Sequence, residues 1–274
     1  MSEPLLVIDD LHLRNRLSGA ETVAGVSASL ERGKVLGVVG ESGSGKTLTC
    51  RAVLGILPDV FAISRGRIDL FGQDASALSP RSWQSLRGSR IAAVFQDPGS
   101  YLNPSIKVGR QIEEVVRVKG GLRGNAAKAR VLELFETVHL REVEYVYQQY
   151  THELSGGMLQ RVLIAGAIAL EPEILIADEA TTALDVTVQA EILDLLVELK
   201  ERIGLALLVV SHDLAVVAQL CDDVIVLKDG RVVEQGPASQ ILFAPTHEYT
   251  KLLIDEHELY GLDRFLTATG ADRG

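Results

Sequence analysis

One octapeptide restricts the fold of this 274-residue chain more than any other stretch. GESGSGKT, residues 40–47, follows the short apolar run VLGVVG and precedes a segment with helical spacing. Its glycines let consecutive backbone N–H groups turn inward around phosphate oxygens, and the helix N-terminus adds its dipole. Lys46 can reach the outer phosphates, and the Thr47 hydroxyl can ligate Mg²⁺. A glycine-rich surface turn is the alternative, but the flanking strand and helix favour a phosphate-binding loop.

Short apolar runs elsewhere predict buried strands that alternate with helices. The strands are predicted at 4–13, 22–30, 35–40, 91–96, 174–178 and 206–211, and the helices at about 46–57, 158–170 and 188–203. Residues 97–160, by contrast, carry helical patterns and no clear strand, which indicates a helical insert.

Turn residues place two further strand pairs. Residues 61–74 predict a pair with turns at Arg65-Gly66 and Gly72-Gln73, and residues 224–236 predict a hairpin with Asp229-Gly230 at its turn. A mostly helical tail is predicted to follow over 237–274.

Composition argues against several other classes of protein. The formal net charge of −10 does not suit a nucleic-acid binder held by a basic surface. Cys50 and Cys221 lie far apart without a CxxC partner, so we expect neither a zinc site nor a disulfide framework, and a reducing cytosol fits. The apolar runs fall well short of the ~20 residues of a membrane span, and we expect no signal peptide.

Two adjacent carboxylates follow the predicted strand at 174–178. Asp178 can position Mg²⁺, and Glu179, which points differently, can polarise an attacking water. Adjacent acids are also common at solvent-exposed strand ends, so the pair alone leaves both interpretations open. Combined with the loop at 40–47, the pair favours hydrolysis of a bound nucleotide.

Three single polar residues gain meaning from their position. Gln96 ends one predicted strand and can touch the Mg²⁺ shell, His212 ends another and can reach a γ-phosphate, and Asp185 comes shortly after Glu179. Each alone is more commonly a polar strand end or a helix cap. Their common position at one edge of the predicted parallel sheet favours a role in ligand binding, because α/β sheets bind ligands outside the carboxyl ends of their strands.

A second glycine-containing break occurs in ELSGGMLQR, residues 153–161, before an apolar segment with helical spacing. It can be an ordinary loop or a second surface that grips phosphate. In this order, the motifs resemble the nucleotide-binding subunit of ATP-binding cassette (ABC) transporters. The matching elements, spread over about residues 5–235, are GESGSGKT, Gln96, LSGGM, ILIADE, ALD at 183–185 and His212.

The resemblance implies an α/β P-loop NTPase fold. Its parts are a RecA-like parallel sheet core, an antiparallel N-terminal β region and an inserted α-helical subdomain. The catalytic core would occupy 1–96 and 161–235, the helical subdomain with Gln loop and signature motif 97–160, and a C-terminal tail 236–274.

Three stretches narrow the resemblance to the peptide and nickel importer group. Residues 96–114 and 236–253 look like that group's Gln-loop and tail segments, and Met158 after the second glycine resembles its first ATPase subunit. The resemblance implies a subunit that energises import of peptides, nickel or metal chelates. It also implies a second, different ATPase chain in a head-to-tail dimer, two membrane permeases and an extracytoplasmic binding protein. The expected location is peripheral, on the cytoplasmic face of the inner membrane, with no nucleic-acid partner.

The resemblance also assigns site residues for ATP and Mg²⁺. Glu179, His212 and Gln96 would be catalytic, and Thr47, Gln96 and Asp178 would hold Mg²⁺. The expected nucleotide contacts are Gly40, Glu41, Ser42, Gly43, Ser44, Gly45, Lys46, Thr47, Thr49, Arg16, Ser155, Gly156, Gly157 and Asp185. Ser155 and Gly157 are expected to touch the γ-phosphate of ATP held by the other subunit.

The sequence departs from the family pattern in three places. Ala180 replaces the usual Pro after the catalytic Glu, and since no chemical group is lost, we expect hydrolysis to survive. No aromatic ring is available upstream of the P-loop to stack on adenine, so Arg16 or Leu17 would take that place. The tail lacks the cysteine-rich segment of many peptide importers, which slightly favours nickel and metal chelates as the cargo without excluding peptides.

Three alternatives belong to other functional classes. A cassette ATPase acting on nucleic acid or ribosomes would usually carry two cassettes or coiled-coil arms. A non-hydrolysing regulatory subunit would be expected to lack Glu179, Lys46 or His212, all of which are present. An exporter's ATPase subunit is the third alternative, although exporters more often fuse the cassette to a membrane domain.

Overall fold

The structure is a computed structural model that describes residues 3–181 and 184–258. Ten strands lie in that part of the chain: β1 (Leu6–Asn15), β2 (Glu21–Leu30), β3 (Val35–Val39), β4 (Phe61–Leu70), β5 (Gln73–Asp74), β6 (Ile91–Phe95), β7 (Ile174–Asp178), β8 (Ala206–Ser211), β9 (Asp223–Lys228) and β10 (Arg231–Pro237). The same ranges hold ten α-helices: α1 (Lys46–Val53), α2 (Pro80–Leu86), α3 (Val108–Val118), α4 (Asn125–Thr137), α5 (Val143–Gln148), α6 (Gly156–Ala167), α7 (Val186–Ile203), α8 (Leu214–Leu220), α9 (Ala238–Phe243) and α10 (Glu248–Glu258). The predicted tail beyond residue 258 lies outside the described residues.

Backbone contacts divide the chain into two compact units. Among the described residues, the first comprises those up to Leu78 and those from Leu208 onward, and the second comprises those from Ser79 to Leu207. The first unit therefore combines an N-terminal and a C-terminal segment of the chain. The boundary before the C-terminal segment falls within β8.

An antiparallel sheet in the first unit has the strand order β2-β1-β4-β5. The predicted turn at Arg65-Gly66 is wrong, because β4 runs unbroken through it. The pairing of β1 with β4 is instead irregular between Asp9 and His12, and Gly66 adopts a φ of 81° opposite that irregularity. A Cβ on Gly66 would lie 2.0 Å from the Asp10 carbonyl oxygen, so the glycine permits a bulge in the sheet.

The other strands of the first unit follow the order β10-β9-β3-β8. Strand β3 pairs parallel to β9, and β9 and β10 form the predicted hairpin, in which Asp229 and Gly230 both adopt positive φ. Helices α8, α9 and α10 contribute apolar side chains to a buried cluster with these strands. Its members are Val39, Leu214, Val217, Val224, Val226, Ala238, Ile241, Leu242, Tyr249, Leu253 and Ile254.

Helix α1 is shorter than the apolar spacing predicts. It ends at Val53 rather than near Leu57, because Gly55 turns the chain with a φ of 64°. The Ile56 N–H then donates to the Arg51 carbonyl at 2.9 Å, which closes the helix in the manner of a glycine C-terminal motif.

The second unit combines a parallel strand pair with packed helices. Strands β6 and β7 run parallel from Ile91 opposite Ile174 to Phe95 opposite Asp178. Between Pro98 and Ala167 the chain forms short 3₁₀ turns and helices, with no strand. Helix α3 packs on α5 through Gly109, and the Tyr147 hydroxyl of α5 donates to the buried Glu113 carboxylate of α3.

Sequence reasoning missed α2 and placed the start of α6 two residues too late. The Ser79 hydroxyl accepts from the Ser82 N–H and Pro80 opens α2, a start signal that its sequence does contain. None of the helices within residues 3–181 and 184–258 is long and apolar enough to cross a membrane.

Candidate active site

Two glycines of the loop at 40–47 are fixed by backbone packing. Gly40 adopts a φ of 147°, and a Cβ there would lie 2.1 Å from the Leu227 carbonyl oxygen. Gly45 adopts a φ of 100°, and a Cβ there would lie 2.9 Å from the Val23 side chain. Since no L-amino acid side chain fits at either position, the loop conformation itself requires these glycines.

Lys46 and Thr49 secure the start of α1. The Lys46 Nζ donates to the carbonyl oxygens of Gly40 and Glu41, at 2.6 and 2.8 Å, so the ammonium group lies inside the loop. The Thr49 hydroxyl donates to the Gly45 carbonyl at 3.0 Å, which gives this residue a structural role in the first turn. Thr47, the predicted Mg²⁺ ligand, is half-buried at the same helix start.

Ser44 carries a polar atom that suits a phosphate group. Its side chain is 5% exposed, and its hydroxyl oxygen is buried with no hydrogen-bond partner among the described residues. Its backbone carbonyl accepts from the Gly230 N–H at 3.1 Å, so the β9–β10 turn holds this residue in place. A buried hydroxyl without a partner is costly, and an oxyanion at the loop would satisfy it.

His212 occupies a short turn between β8 and α8. The Asp213 N–H donates to the Ser211 hydroxyl at 2.9 Å, and the Asp213 carboxylate accepts from Ala215 N–H at 2.8 Å. The imidazole is exposed, and β8 neighbours β3, the strand that leads into the phosphate loop.

The two candidates for adenine stacking lie in an exposed turn after β1. Arg16 and Leu17 are both exposed, and Leu17 is 84% accessible. The Asn15 side chain accepts from the Leu17 and Ser18 N–H groups at 2.9 and 3.1 Å, which fixes the turn. Either residue is free to meet a ligand, and the choice between them stays a prediction.

In the second unit, Gln96, Asp178 and Glu179 lie at one edge of a parallel strand pair. Phe95 and Asp178 are register partners, so Gln96 and Glu179 both follow directly at the carboxyl ends of their strands. Asp178 is 5% exposed, whereas Gln96 is exposed. Glu179 adopts a φ of 50°, a region uncommon for side chains other than Gly and Asn. A strained backbone at a strand end is a feature that clusters at functional sites.

The stretch ELSGGMLQR begins α6 rather than forming a free loop. Ser155 caps the helix, because its hydroxyl accepts from the Met158 N–H at 3.3 Å, and Gly156 and Gly157 form the first turn. Ser155 and Gly156 are exposed. A Cβ on Gly157 would lie 2.5 Å from the Val188 side chain, so this glycine lets α6 approach α7.

Asp185 starts the neighbouring helix. Its carboxylate accepts from the Val188 N–H at 3.0 Å, so Asp185 caps α7, and its predicted contact with nucleotide stays a prediction. Of the ALD motif, Ala183 lies outside the described residues.

No cluster of three or more His, Cys, Asp or Glu side chains that could hold a metal ion occurs within 3–181 and 184–258. The predicted Mg²⁺ ligands are one hydroxyl, one amide and one carboxylate, a donor set of hard oxygens that suits Mg²⁺ bound together with phosphate.

Sequence reasoning missed one contact at the phosphate loop. The Glu41 N–H donates to the hydroxyl of Tyr249 on α10 at 3.0 Å, 208 residues along the chain. No local pattern in the sequence signals this bond, because it depends on how α10 docks.

Comparisons with known proteins agree with these observations. A family model described as ABC transporter matches residues 23–182. The probable peptide ABC transporter ATP-binding protein y4tR of Sinorhizobium fredii is 44% identical over 255 residues, which cover 91% of this chain and 76% of that protein. The oligopeptide transport ATP-binding protein OppD of Bacillus subtilis is 44% identical over 249 residues, covering 90% and 70%. A solved dimeric ATP-binding cassette, MJ0796 in a post-hydrolysis state bound to ADP and Pi, is 26% identical, with a TM-score of 0.74 and coverage of 85% of this chain and 98% of that chain.

The chain belongs to the ABC transporter family. Within that family it is a nucleotide-binding ATPase subunit, and the predicted α/β P-loop NTPase fold class is confirmed.

Proposed function

We propose that this chain is the ATP-hydrolysing subunit of an ABC importer for peptides. The observation that carries the proposal is the loop at 40–47, whose glycines, buried Ser44 hydroxyl and inward-facing Lys46 fit a phosphate group. The relatives named for peptide and oligopeptide transport support the choice of cargo. The expectation of nickel or metal chelates stays a prediction.

Each site residue has a proposed role in hydrolysis. Backbone N–H groups of the loop bind the phosphates, and Lys46 exchanges its bonds to carbonyl oxygens for bonds to phosphate oxygens. Thr47, Asp178 and Gln96 would hold Mg²⁺, and a bound Mg²⁺ would neutralise charge on the outer phosphates. Glu179 orients the attacking water, and His212 stabilises the negative charge that develops on the γ-phosphate.

The proposal includes a head-to-tail arrangement with a second ATPase chain. The exposed Ser155 and Gly156 at the α6 N-terminus would contact ATP held by the partner, where the helix dipole favours an anion. The dimeric structure of a cassette bound to ADP and Pi supports a dimer of ATPase chains. Two membrane permeases and an extracytoplasmic binding protein complete the proposed importer, with this chain peripheral on the cytoplasmic face of the inner membrane. Gln96 would relay nucleotide state to the helices that meet the permease.

Replacing the proposed water-orienting group tests the catalytic assignment. Glu179→Gln keeps the shape of the side chain but removes its charge, so we expect ATP binding to persist and turnover to fall by about 100-fold or more. The measurements are phosphate release and ATP-dependent dimer formation with the partner chain. Glu201→Gln, which changes an exposed carboxylate on α7, is the matched control. Undiminished turnover in Glu179→Gln would overturn the assignment.

Uptake measurements test the cargo. Cells that carry Glu179→Gln should lose uptake of labelled peptides, whereas cells with Glu201→Gln should keep it. Loss of nickel uptake with intact peptide uptake would reassign the cargo. Accumulation of a compound in the cells would instead indicate an exporter.

A further inference from the structure

The C-terminal helix α10 reaches the phosphate loop through one buried side chain. Tyr249 is 5% exposed, and its hydroxyl accepts from the Glu41 N–H at 3.0 Å. Glu41 is the second residue of GESGSGKT. A backbone N–H in a tight loop needs a partner when water is excluded, and here the partner comes from a helix distant in sequence.

The Tyr249 hydroxyl sits at the centre of a local polar arrangement. Burial raises the pKa of the Tyr249 phenol, the Glu41 N–H lowers it, and the Glu41 carboxylate raises it again. The ammonium group of Lys228, at the end of β9, lies 4.6 Å from the centre of the Tyr249 ring. The ring therefore contacts a cation and also belongs to the apolar cluster that contains Val39, the last residue of β3.

A second anchor fixes α10 at its N-terminal end. The buried carboxylate of Glu234, on β10, accepts from the Thr246 N–H at 2.7 Å, the Thr246 hydroxyl at 2.8 Å and the His247 N–H at 3.1 Å. The Tyr249 N–H in turn donates to the His247 ring at 3.1 Å. Burial raises the pKa of Glu234, but the neighbouring Thr250 hydroxyl and the hydrogen bonds from Thr246 and His247 lower it more, to about 2. This carboxylate is therefore ionised at neutral pH and holds the start of α10 on β10.

The β9–β10 hairpin and α10 together hold the phosphate loop at three backbone points between Gly40 and Ser44. Gly40 packs against the Leu227 carbonyl, the Ser44 carbonyl accepts from the Gly230 N–H, and the Glu41 N–H donates to Tyr249. The first two contacts lie within the backbone of the cassette itself. The third is the only one of these three that depends on the tail.

We propose that Tyr249 is a positioning residue of the phosphate loop, so that docking of α10 sets the affinity of this subunit for ATP. The hydroxyl satisfies the Glu41 N–H and fixes the peptide between Gly40 and Glu41, whose carbonyls also receive the Lys46 ammonium group. The loop is then already ordered before ATP binds, so binding costs less conformational entropy. Any event that lifts α10 from this surface would remove the partner of the Glu41 N–H and so weaken ATP binding, although Tyr249 itself is not among the proposed nucleotide contacts.

Tyr249→Phe tests the proposal, because it keeps the ring, its packing and its contact with Lys228 and removes only the hydroxyl. We expect the dissociation constant of a fluorescent ATP analogue, and the KM for ATP, to rise about 2- to 10-fold, as befits one hydrogen bond. The kcat and the thermal unfolding midpoint should change little. Glu234→Gln, which loosens the α10 anchor, should raise KM in the same direction. Leu252→Ala, on the exposed face of α10, is the control and should leave KM unchanged.

The inference rests on the proposed role of the loop, and Lys46→Ala separates the two. If Lys46→Ala abolishes ATP binding while Tyr249→Phe leaves affinity unchanged, or lowers only the unfolding midpoint, the positioning role is wrong and the loop's role stands. If Lys46→Ala leaves ATP affinity intact, the role of the loop itself is wrong, and the inference fails with it.

Discussion

At the residue scale, one proposed catalytic residue has an unusual backbone conformation. Glu179 adopts a φ of 50°, although the sequence offers a carboxylate there and no glycine or asparagine. A residue other than glycine that is held at positive φ stores backbone strain of about 1–3 kcal/mol. Ala180 follows it, so the proline that the family usually has is not needed to hold this conformation.

A second residue of interest is His12, which lies between two carboxylates on β1. Its ring nitrogens lie 2.8 Å from a Glu21 carboxylate oxygen and 3.0 Å from an Asp10 carboxylate oxygen, and its side chain is 16% exposed. Arg65 also faces Asp10, at 2.8 Å, and Arg14 and Arg231 lie near Glu21. The hydrogen bond to Glu21 raises the pKa of His12, burial lowers it, and Asp10 raises it further, for a net increase above 6.5.

A pH-dependent contribution to stability follows from this arrangement. Because the folded-state pKa of His12 is raised, its stabilisation is fully present below the unfolded pKa of about 6.5 and is lost as the pH rises through the folded pKa. We expect the difference in unfolding free energy between the wild type and His12→Asn to be larger at about pH 5.5 than at about pH 9. Urea unfolding at both pH values measures it. Glu21→Gln should flatten the pH dependence, and a difference that stays constant with pH would refute the assignment.

Some residue roles could be predicted from the sequence, and others could not. The glycines and Lys46 of the phosphate loop follow from a local pattern whose geometry is the same wherever it occurs, and the structure gives Gly40 and Gly45 the positive φ that the pattern implies. The bond between Tyr249 and Glu41 joins residues 208 positions apart and depends on packing that no local pattern encodes. Asp185 was predicted as a nucleotide contact, and the structure adds a capping role that a single sequence leaves open.

At the scale of elements, most strands and the long helix α7 follow their periodic patterns, and two of the deviations, in β4 and after α1, occur at glycines. The spacing of apolar residues predicts α7 well, because eighteen residues of one pattern leave little choice of period. Gly66 produces a bulge instead of a turn, and Gly55 ends α1 early, since positive φ is compatible with several local structures. A glycine in the sequence therefore indicates a change of backbone conformation, but not whether that change is a turn, a bulge or the end of a helix.

Helix packing in the second unit gives a prediction about two glycines. A Cβ on Gly109, in α3, would lie 2.2 Å from the Tyr147 ring and 2.6 Å from the Tyr147 backbone oxygen. A Cβ on Gly166, in α6, would meet only the end of the flexible Ile112 side chain, at 2.9 Å. Neither glycine adopts a positive φ, so any difference between the effects of alanine at the two positions comes from packing alone.

We therefore expect Gly109→Ala to destabilise the protein by about 1–3 kcal/mol, because the ring and backbone of Tyr147 cannot both move away. Gly166→Ala should be close to neutral, since Ile112 can change rotamer and alanine favours a helix by about 1 kcal/mol over glycine. Chemical denaturation of the two variants measures the difference. Equal destabilisation by both substitutions would show that the contact with Tyr147 does not decide the packing of α3 on α5.

At the scale of the whole molecule, the two elements proposed to bind phosphate have different surroundings. The loop at 40–47 carries its own buried hydroxyl and ammonium group, whereas the start of α6 offers exposed Ser155 and Gly156, and LSGGM at 154–158 contains no Lys or Arg. An exposed helix N-terminus attracts phosphate only weakly by itself. It becomes effective when another molecule delivers the phosphate, which is the role proposed for it in the dimer.

A substitution that leaves the fold intact can distinguish the role of the α6 N-terminus from the role of the loop at 40–47. Gly156 is the first residue of α6, and a Cβ there makes only ordinary contact, 3.5 Å from the Leu184 side chain. Gly156→Glu keeps the Ser155 cap and places a carboxylate where the helix dipole tolerates it, but the new charge repels phosphate. We expect the isolated chain to bind ATP as the wild type does, and ATP-dependent dimer formation and turnover to fall at least about tenfold.

Lys46→Ala should show the opposite pattern, with ATP binding lost in the isolated chain, and Gly156→Ala should resemble the wild type in its unfolding midpoint. Equilibrium titration with a fluorescent ATP analogue measures binding, and size-exclusion chromatography with the partner chain measures dimer formation in a Glu179→Gln background. If Gly156→Glu weakens ATP binding by the isolated chain as much as Lys46→Ala does, the α6 N-terminus serves the chain's own nucleotide and the division of labour between two subunits is wrong. If it leaves dimer formation and turnover unchanged, the α6 N-terminus meets no phosphate, because a carboxylate placed against the γ-phosphate of a partner's ATP cannot be neutral.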